Sequence, residues 1–186
     1  MYVSEELRAA GYHSMQEIID RPADGRRYEV VWGELLVTSM VSLPHQRALT
    51  QVASPVSEYC DRFDLGETIL GPADISWGPD TLVKPDVFVV PRSELGGDDW
   101  SSVKTLRFVA EVLSPETARH DRFQKRVLYQ RQGVEMLWLI DIDRRFVEVW
   151  TPDALFPVVE TERVSWQPAG AESPLVIEIG ELLREG

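Results

Sequence analysis

The chain is poor in sulfur and in positive charge. It has one cysteine, Cys60, in 186 residues. No internal disulfide can form, so an oxidising compartment gains no support. Lysine and arginine together number 19 against 31 aspartate and glutamate, for a formal net charge of −12. That balance argues against broad polyanion binding and predicts weak, salt-sensitive nonspecific association. No apolar run is long enough to span a bilayer. The first residues, Met1-Tyr2-Val3-Ser4-Glu5-Glu6, lack the basic and apolar blocks of a secretory leader, so a cytoplasmic protein with no membrane partner is expected. What remains is ordinary for a soluble globular protein: 44% hydrophobic and 27% charged residues, enough for one domain with a full core.

The charge is unevenly placed. Residues 148–186 hold eight carboxylates against Arg163 and Arg184, which is half of the whole imbalance. Residues 119–131 run the other way, with Arg119, Arg122, Lys125, Arg126 and Arg131 against Asp121. A local anion-binding face is therefore compatible with the acidic total. The arginines of that segment are candidates to follow a phosphate backbone, although a solvated helix face is the commoner explanation.

The elements follow from local signals. Ser14-Met15-Gln16-Glu17 reads as a capping box opening a short helix that ends near Arg21-Pro22. Tyr28–Val31 and Glu34–Thr38 are β-prone runs joined at Trp32-Gly33, a hairpin. A helix is expected over 45–63 after Pro44, with Pro55 kinking or dividing it. Residues 67–70 and 73–77 read as one interrupted strand. Val87–Val90 and Leu106–Leu113 are apolar on both faces, as in a buried sheet. A helix follows over 117–132 with Gly133 as its C′ residue. Met136–Ile140 and Phe146–Trp150 are further strands, and the tail adds two more, 157–160 and 175–179. The order describes one mixed α/β domain, 1–186, with a central mixed sheet flanked by helices, an N-terminal hairpin and C-terminal strands.

Three residues make a coherent reactive set. If the strands at 86–90 and 106–113 pair antiparallel, Asp86 at the start of one lies beside Glu111 near the end of the other. Carboxylates at the ends of such apolar runs need a counter-charge or a metal. Mg²⁺ (or Mn²⁺) suits them, with the Val112 carbonyl as a further ligand, because it takes hard oxygens and retains several waters. Asp121 and Lys125, four apart on the next helix, share a face. The Lys125 ammonium is placed to hold a water and to offset charge on phosphorus. This is the equipment of a metal-dependent phosphodiesterase. Each residue also has an ordinary alternative. Asp86 can cap the turn after Pro85, Lys125 with Asp121 can be a surface ion pair, and His45 can make a structural hydrogen bond. Glu34 can be an exposed hairpin residue.

The motif pieces resemble the PD-(D/E)xK nuclease superfamily, and within it the Uma family of restriction endonuclease-like proteins. The resemblance covers about residues 12–151. Its pieces are Ser14–Ile18, Arg27–Leu35, His45, Lys84-Pro85-Asp86-Val87, Val109–Thr117, Asp121 with Lys125 and Tyr129, and Gly133–Asp141. The stretch Glu111–Thr117 with Asp121 and Lys125 is the most specific. The resemblance implies a restriction-endonuclease-like core and metal-dependent cleavage of DNA. It also implies Asp86 and Glu111 as metal ligands, and Glu34, His45 and Asp121 as supporting residues. The lysine that the superfamily carries two residues after the glutamate is Leu113 here, and Lys125 fits the position to which the Uma family has moved it. A homodimer is expected by analogy, with Phe146–Trp150 as the edge. Two rival readings stand beside this one: a non-catalytic binding module on the same scaffold, and a hydrolase of small phosphodiesters.

Overall fold

The structure is a computed structural model that describes residues 11–22, 24–38 and 42–184. Met1–Glu6 and Glu185, used above for the leader and the acidic tail, lie outside the described residues. Two apolar faces of one sheet organise the molecule. In the run Val87–Val90 successive side chains point to opposite sides, and neither side meets water.

That sheet has six strands, ordered β10-β9-β8-β7-β6-β3. They are β3 (Glu67–Leu70), β6 (Val87–Val90), β7 (Phe108–Val112), β8 (Met136–Asp141), β9 (Phe146–Trp150) and β10 (Val158–Glu160). Strands β7 and β8 run parallel, and the other neighbours are antiparallel. Helix α2 (Leu43–Phe63) covers one face, where Leu49, Val52 and Val56 meet Val87, Val89, Phe108 and Ala110. Helix α3 covers the other, where Leu128 and Tyr129 meet Phe88, Val90, Val109 and Leu139. It runs through Ala118–His120, a π-helical turn Asp121–Lys125, and Arg126–Arg131. Gly133 follows at φ +73, the left-handed backbone a C′ residue needs.

A second sheet, β2-β1-β5-β4, joins β1 (Arg27–Val31) and β2 (Glu34–Thr38) to β5 (Thr81–Val83) and β4 (Ile75–Gly78). Helix α1 (Met15–Ile19) opens with the expected capping box: Ser14 Oγ accepts from the Glu17 N–H at 3.3 Å, and Glu17 Oε2 accepts from the Ser14 N–H at 3.4 Å. Strands β11 (Arg163–Trp166) and β12 (Leu175–Glu178) form a separate hairpin, followed by α4 (Ile179–Leu182). No helix among the described residues is long and apolar enough to cross a membrane.

Several expectations need correction. The segments at 67–70 and 73–77 are two strands in different sheets, because β3 pairs with β6 and β4 with β5. Helix α2 runs unbroken through Pro55 and begins before Pro44, which sits in the first turn where its missing N–H costs nothing. Strand β9 is interior, flanked by β8 and β10, so Phe146–Trp150 is not an edge. Short strands β5 and β11 carry too little pattern to be read from sequence.

The β1–β2 turn depends on one glycine. Trp32 and Gly33 have φ values of 50 and 82, the left-handed pair of a type I′ hairpin. A Cβ on Gly33 would stand 2.2 Å from the Tyr12 ring. Gly33→Ala is expected to cost about 1–3 kcal/mol, read as a lower urea midpoint.

Candidate active site

The β6–β7 register pairs Val87 with Ala110. Carried one step further, it sets Asp86 opposite Glu111, whose side chain meets Lys125 and Tyr129 of α3 while that of Asp86 reaches Arg27 of β1 and His45 of α2. The carboxyl end of β7, the start of β6 and the N-terminal end of α2 meet there around a cavity of about 320 Å³. Asp86, Glu111, Val112, His45, Asp121 and Arg27 all line it.

Asp86 is held on both oxygens. Oδ1 accepts from Arg27 Nη1 at 2.8 Å. Oδ2 accepts from the Val112 N–H at 3.0 Å and lies 3.2 Å from His45 Nε2. Burial opposes its charge, but the His45 hydrogen bond and the Arg27 guanidinium outweigh burial and hold the carboxyl below the ordinary aspartate range. In an extended strand the N–H and C=O of one residue leave on the same edge. The Val112 carbonyl therefore faces the Asp86 side.

Glu111 is buried to 1% exposure, and both of its partners sit on Oε1: Lys125 Nζ at 2.6 Å and the Tyr129 hydroxyl, donating at 2.6 Å. Burial, then the nearby Asp86, Asp121 and Glu29, push its pKa up to about 8 against the pull of Lys125. Lys125 is fully buried. Its ammonium also stands 3.3 Å from Glu29 Oε1 and 3.4 Å from Asp121 Oδ1. Burial favours the neutral amine, but Glu111, Glu29 and Asp121 overcome it and raise the pKa above the usual lysine range. Asp121, also buried, is raised by desolvation despite Lys125. The π turn carrying Asp121 and Lys125 is a local widening of the kind often found at functional sites.

Glu29 was missed by the sequence reading. It has no solvent exposure, and it binds the Lys84 N–H at 2.7 Å and Arg27 Nε at 3.2 Å. Arg27 and Lys125 overcome its burial and keep its pKa low. A signal existed: Glu29 shares a strand face with Val31, which belongs to the buried α3-side core. Glu34 on β2 lies elsewhere. It is exposed and accepts a hydrogen bond from Gln124 Nε2, so the hairpin acid inside the cluster is Glu29. The basic residues of α3 are largely engaged too. Arg122 bridges Glu148 and Asp141, Arg126 stacks on Trp150, and Arg131 stacks on Trp32.

The buried cluster thus sets four carboxylates (Glu29, Asp86, Glu111, Asp121) against two permanent cations, Arg27 and Lys125. With every carboxyl ionised the acids outnumber these cations, and Glu111, raised to about 8, relieves part of that excess by holding a proton when no cation is present. Among the described residues no three His, Cys, Asp or Glu side chains are arranged to hold a metal ion between them. Mg²⁺ does not require three. It typically uses one or two carboxylates with waters completing the octahedron. Two hard carboxylates, an adjacent carbonyl and an excess of acid over base fit a divalent cation.

No curated protein matches the chain. A solved structure from Anabaena variabilis, described as a "putative nuclease belonging to DUF820", is 21% identical and superposes with a TM-score of 0.75 over 92% of this chain and 97% of that one. At that identity the likeness shows the fold, a central mixed sheet flanked by helices. The family described as "Uma2: Putative restriction endonuclease" matches residues 12–179. Matched over most of its length, the chain belongs to the Uma2 family.

Proposed function

We propose that the protein is a divalent-metal-dependent endonuclease that hydrolyses DNA phosphodiester bonds. The observation that carries this reading is the buried excess of carboxylate at a cavity shared by Asp86 and Glu111. Asp86, Glu111 and the Val112 carbonyl would hold Mg²⁺ or Mn²⁺. The ion, when bound, supplies a water of lowered pKa and positive charge beside the reacting phosphate. Arg27 and His45 fix the Asp86 carboxylate. Lys125 and Tyr129 fix Oε1 of Glu111. Lys125 does not line the cavity and stays an ammonium, so it acts as a fixed charge positioning Glu111 and not as a base. Asp121 and Glu29 hold Lys125 in turn. Cleaving both strands of a duplex takes two such sites, and β10, an edge strand near the exposed Leu155 and Phe156, is one place where copies could pair.

The test is nicking and linearisation of supercoiled plasmid with Mn²⁺ or Mg²⁺. Activity is expected to vanish with chelator and with Asp86→Asn. Equal cleavage by Asp86→Asn would end this assignment.

One observation favours a second reading, a binding module that retains the scaffold: Arg27 and Lys125 already neutralise half of the acidic cluster. Calorimetric titration of Mg²⁺ into wild type and Asp86→Ala separates the two. Absence of heat in the wild type supports the module.

A further inference from the structure

Arg122, Arg126 and Arg131 of α3 have partners inside the protein, which leaves Arg119 as a lone exposed cation there and turns attention to arginines grouped elsewhere. A second cavity of about 520 Å³ is lined by Arg47 of α2, Arg145 of the β8–β9 turn and Arg184 just after α4. It shares Pro44, Ile142 and Asp143 with the cavity at Asp86 and Glu111, so the two are neighbours across those residues. These three arginines are far apart in sequence and come together by folding alone. All three are exposed. Arg47 has no hydrogen bond or ion pair among the described residues. Arg145 donates from Nη1 to the Leu183 carbonyl at 3.1 Å, which leaves most of its fork free. It does so from a backbone φ of +57, uncommon for a residue with a side chain. Arg184 meets Glu181 at 3.3 Å in an exposed pair of little strength in water. Among the described residues that line this cavity, Asp143 is the one acid.

A cationic groove therefore lies beside the acidic cavity, in a chain whose total charge is −12. We propose that this groove docks the sugar–phosphate backbone of the nucleic-acid strand flanking the scissile phosphate. Guanidinium forks match phosphate oxygens in pairs. A metal site reads one phosphate; the arginine groove beside it reads the next ones. A small phosphodiester has no use for such a groove, so the inference rests on the endonuclease reading and narrows it to a polymeric substrate.

The experiment measures binding of a labelled duplex to the full chain by fluorescence anisotropy, with Ca²⁺ in place of Mg²⁺, between 50 and 200 mM salt. Each phosphate contact contributes about 0.9 to the slope of log affinity against log salt. Wild type is expected to lose about 40-fold more affinity over that range than the triple variant Arg47→Ala, Arg145→Ala, Arg184→Ala. The triple lysine variant should keep the wild-type slope, and Arg119→Ala on α3 should leave it unchanged. Should the triple alanine variant melt early, Arg47→Ala alone carries the test, with a slope lower by about 0.9. An alanine variant with the wild-type slope, or an equal drop from Arg119→Ala, overturns the proposal. Wild type that hydrolyses bis(p-nitrophenyl) phosphate with Mn²⁺ yet binds no duplex at 50 mM salt overturns the groove and leaves the chemistry standing. Wild type that does neither overturns the endonuclease reading as well.

Discussion

Lys125→Met is expected to lower stability by about 3–5 kcal/mol, because it removes the one ammonium from among three buried carboxylates. A domain typically has only about 5–15 kcal/mol in hand. The loss should depend on pH. Lys125 is raised above the ordinary lysine pKa, so its own contribution is fully present at every pH from 5 to 9. The variation comes from the acids it leaves behind. Glu111 and Asp121 are already raised by burial, and without the ammonium they must take up protons or force the core open. Urea unfolding at pH 5.5 and pH 8.5 should show the larger deficit at the higher pH. A variant as stable as wild type at both values would mean that the cluster is far more hydrated than its burial implies.

Glu111→Gln is expected to reduce metal-dependent cleavage about 1000-fold, equivalent to roughly 4 kcal/mol of barrier. The same change should make the metal-free protein more stable above pH 8. The Glu111 carboxyl is raised from an ordinary 4.5 to about 8, so the folded state holds a proton that the unfolded chain releases. Its contribution to stability is complete below the ordinary value, declines as pH rises, and is gone beyond about 8. Asp86 is shifted the other way and loses its contribution only in strong acid, so the two windows do not overlap. Thermal melting across pH 5–9 should fall more steeply for wild type than for the glutamine variant. Added Mn²⁺ at pH 8.5 should raise the wild-type melting temperature, as a cation replaces the proton. Parallel profiles in the two proteins would count against Glu111 as both the titrating group and the ligand.

The parts that were legible in advance share one property: their signal is local. Ser14 and Glu17 stand three apart and make a capping box wherever such a helix begins. Val87–Val90 is apolar on both faces because a central strand must be. Asp86 and Glu111 mark the ends of two such runs, and an antiparallel pair brings those ends together. Asp121 and Lys125 meet because helical spacing sets them on one face, even across a π turn. Glu29, by contrast, carries no local signal strong enough to set it apart from Glu34. Both lie on the hairpin, and which of them turns inward depends on how β1 and β2 pack under α3.

From the residue order alone came the mixed α/β layering, the strand–strand–helix passage that carries Asp86, Glu111 and Lys125, and the excess of acid over base. Periodicity, capping and apolar runs are properties of neighbouring residues, so they can be read without coordinates. Tertiary packing decided the rest. It buried Glu29 and made Arg27 and Lys125 the internal counter-charges. It used the α3 arginines as braces and gathered Arg47, Arg145 and Arg184 into a groove. Those outcomes turn on burial and on distances between residues remote in the chain, quantities that no local pattern contains.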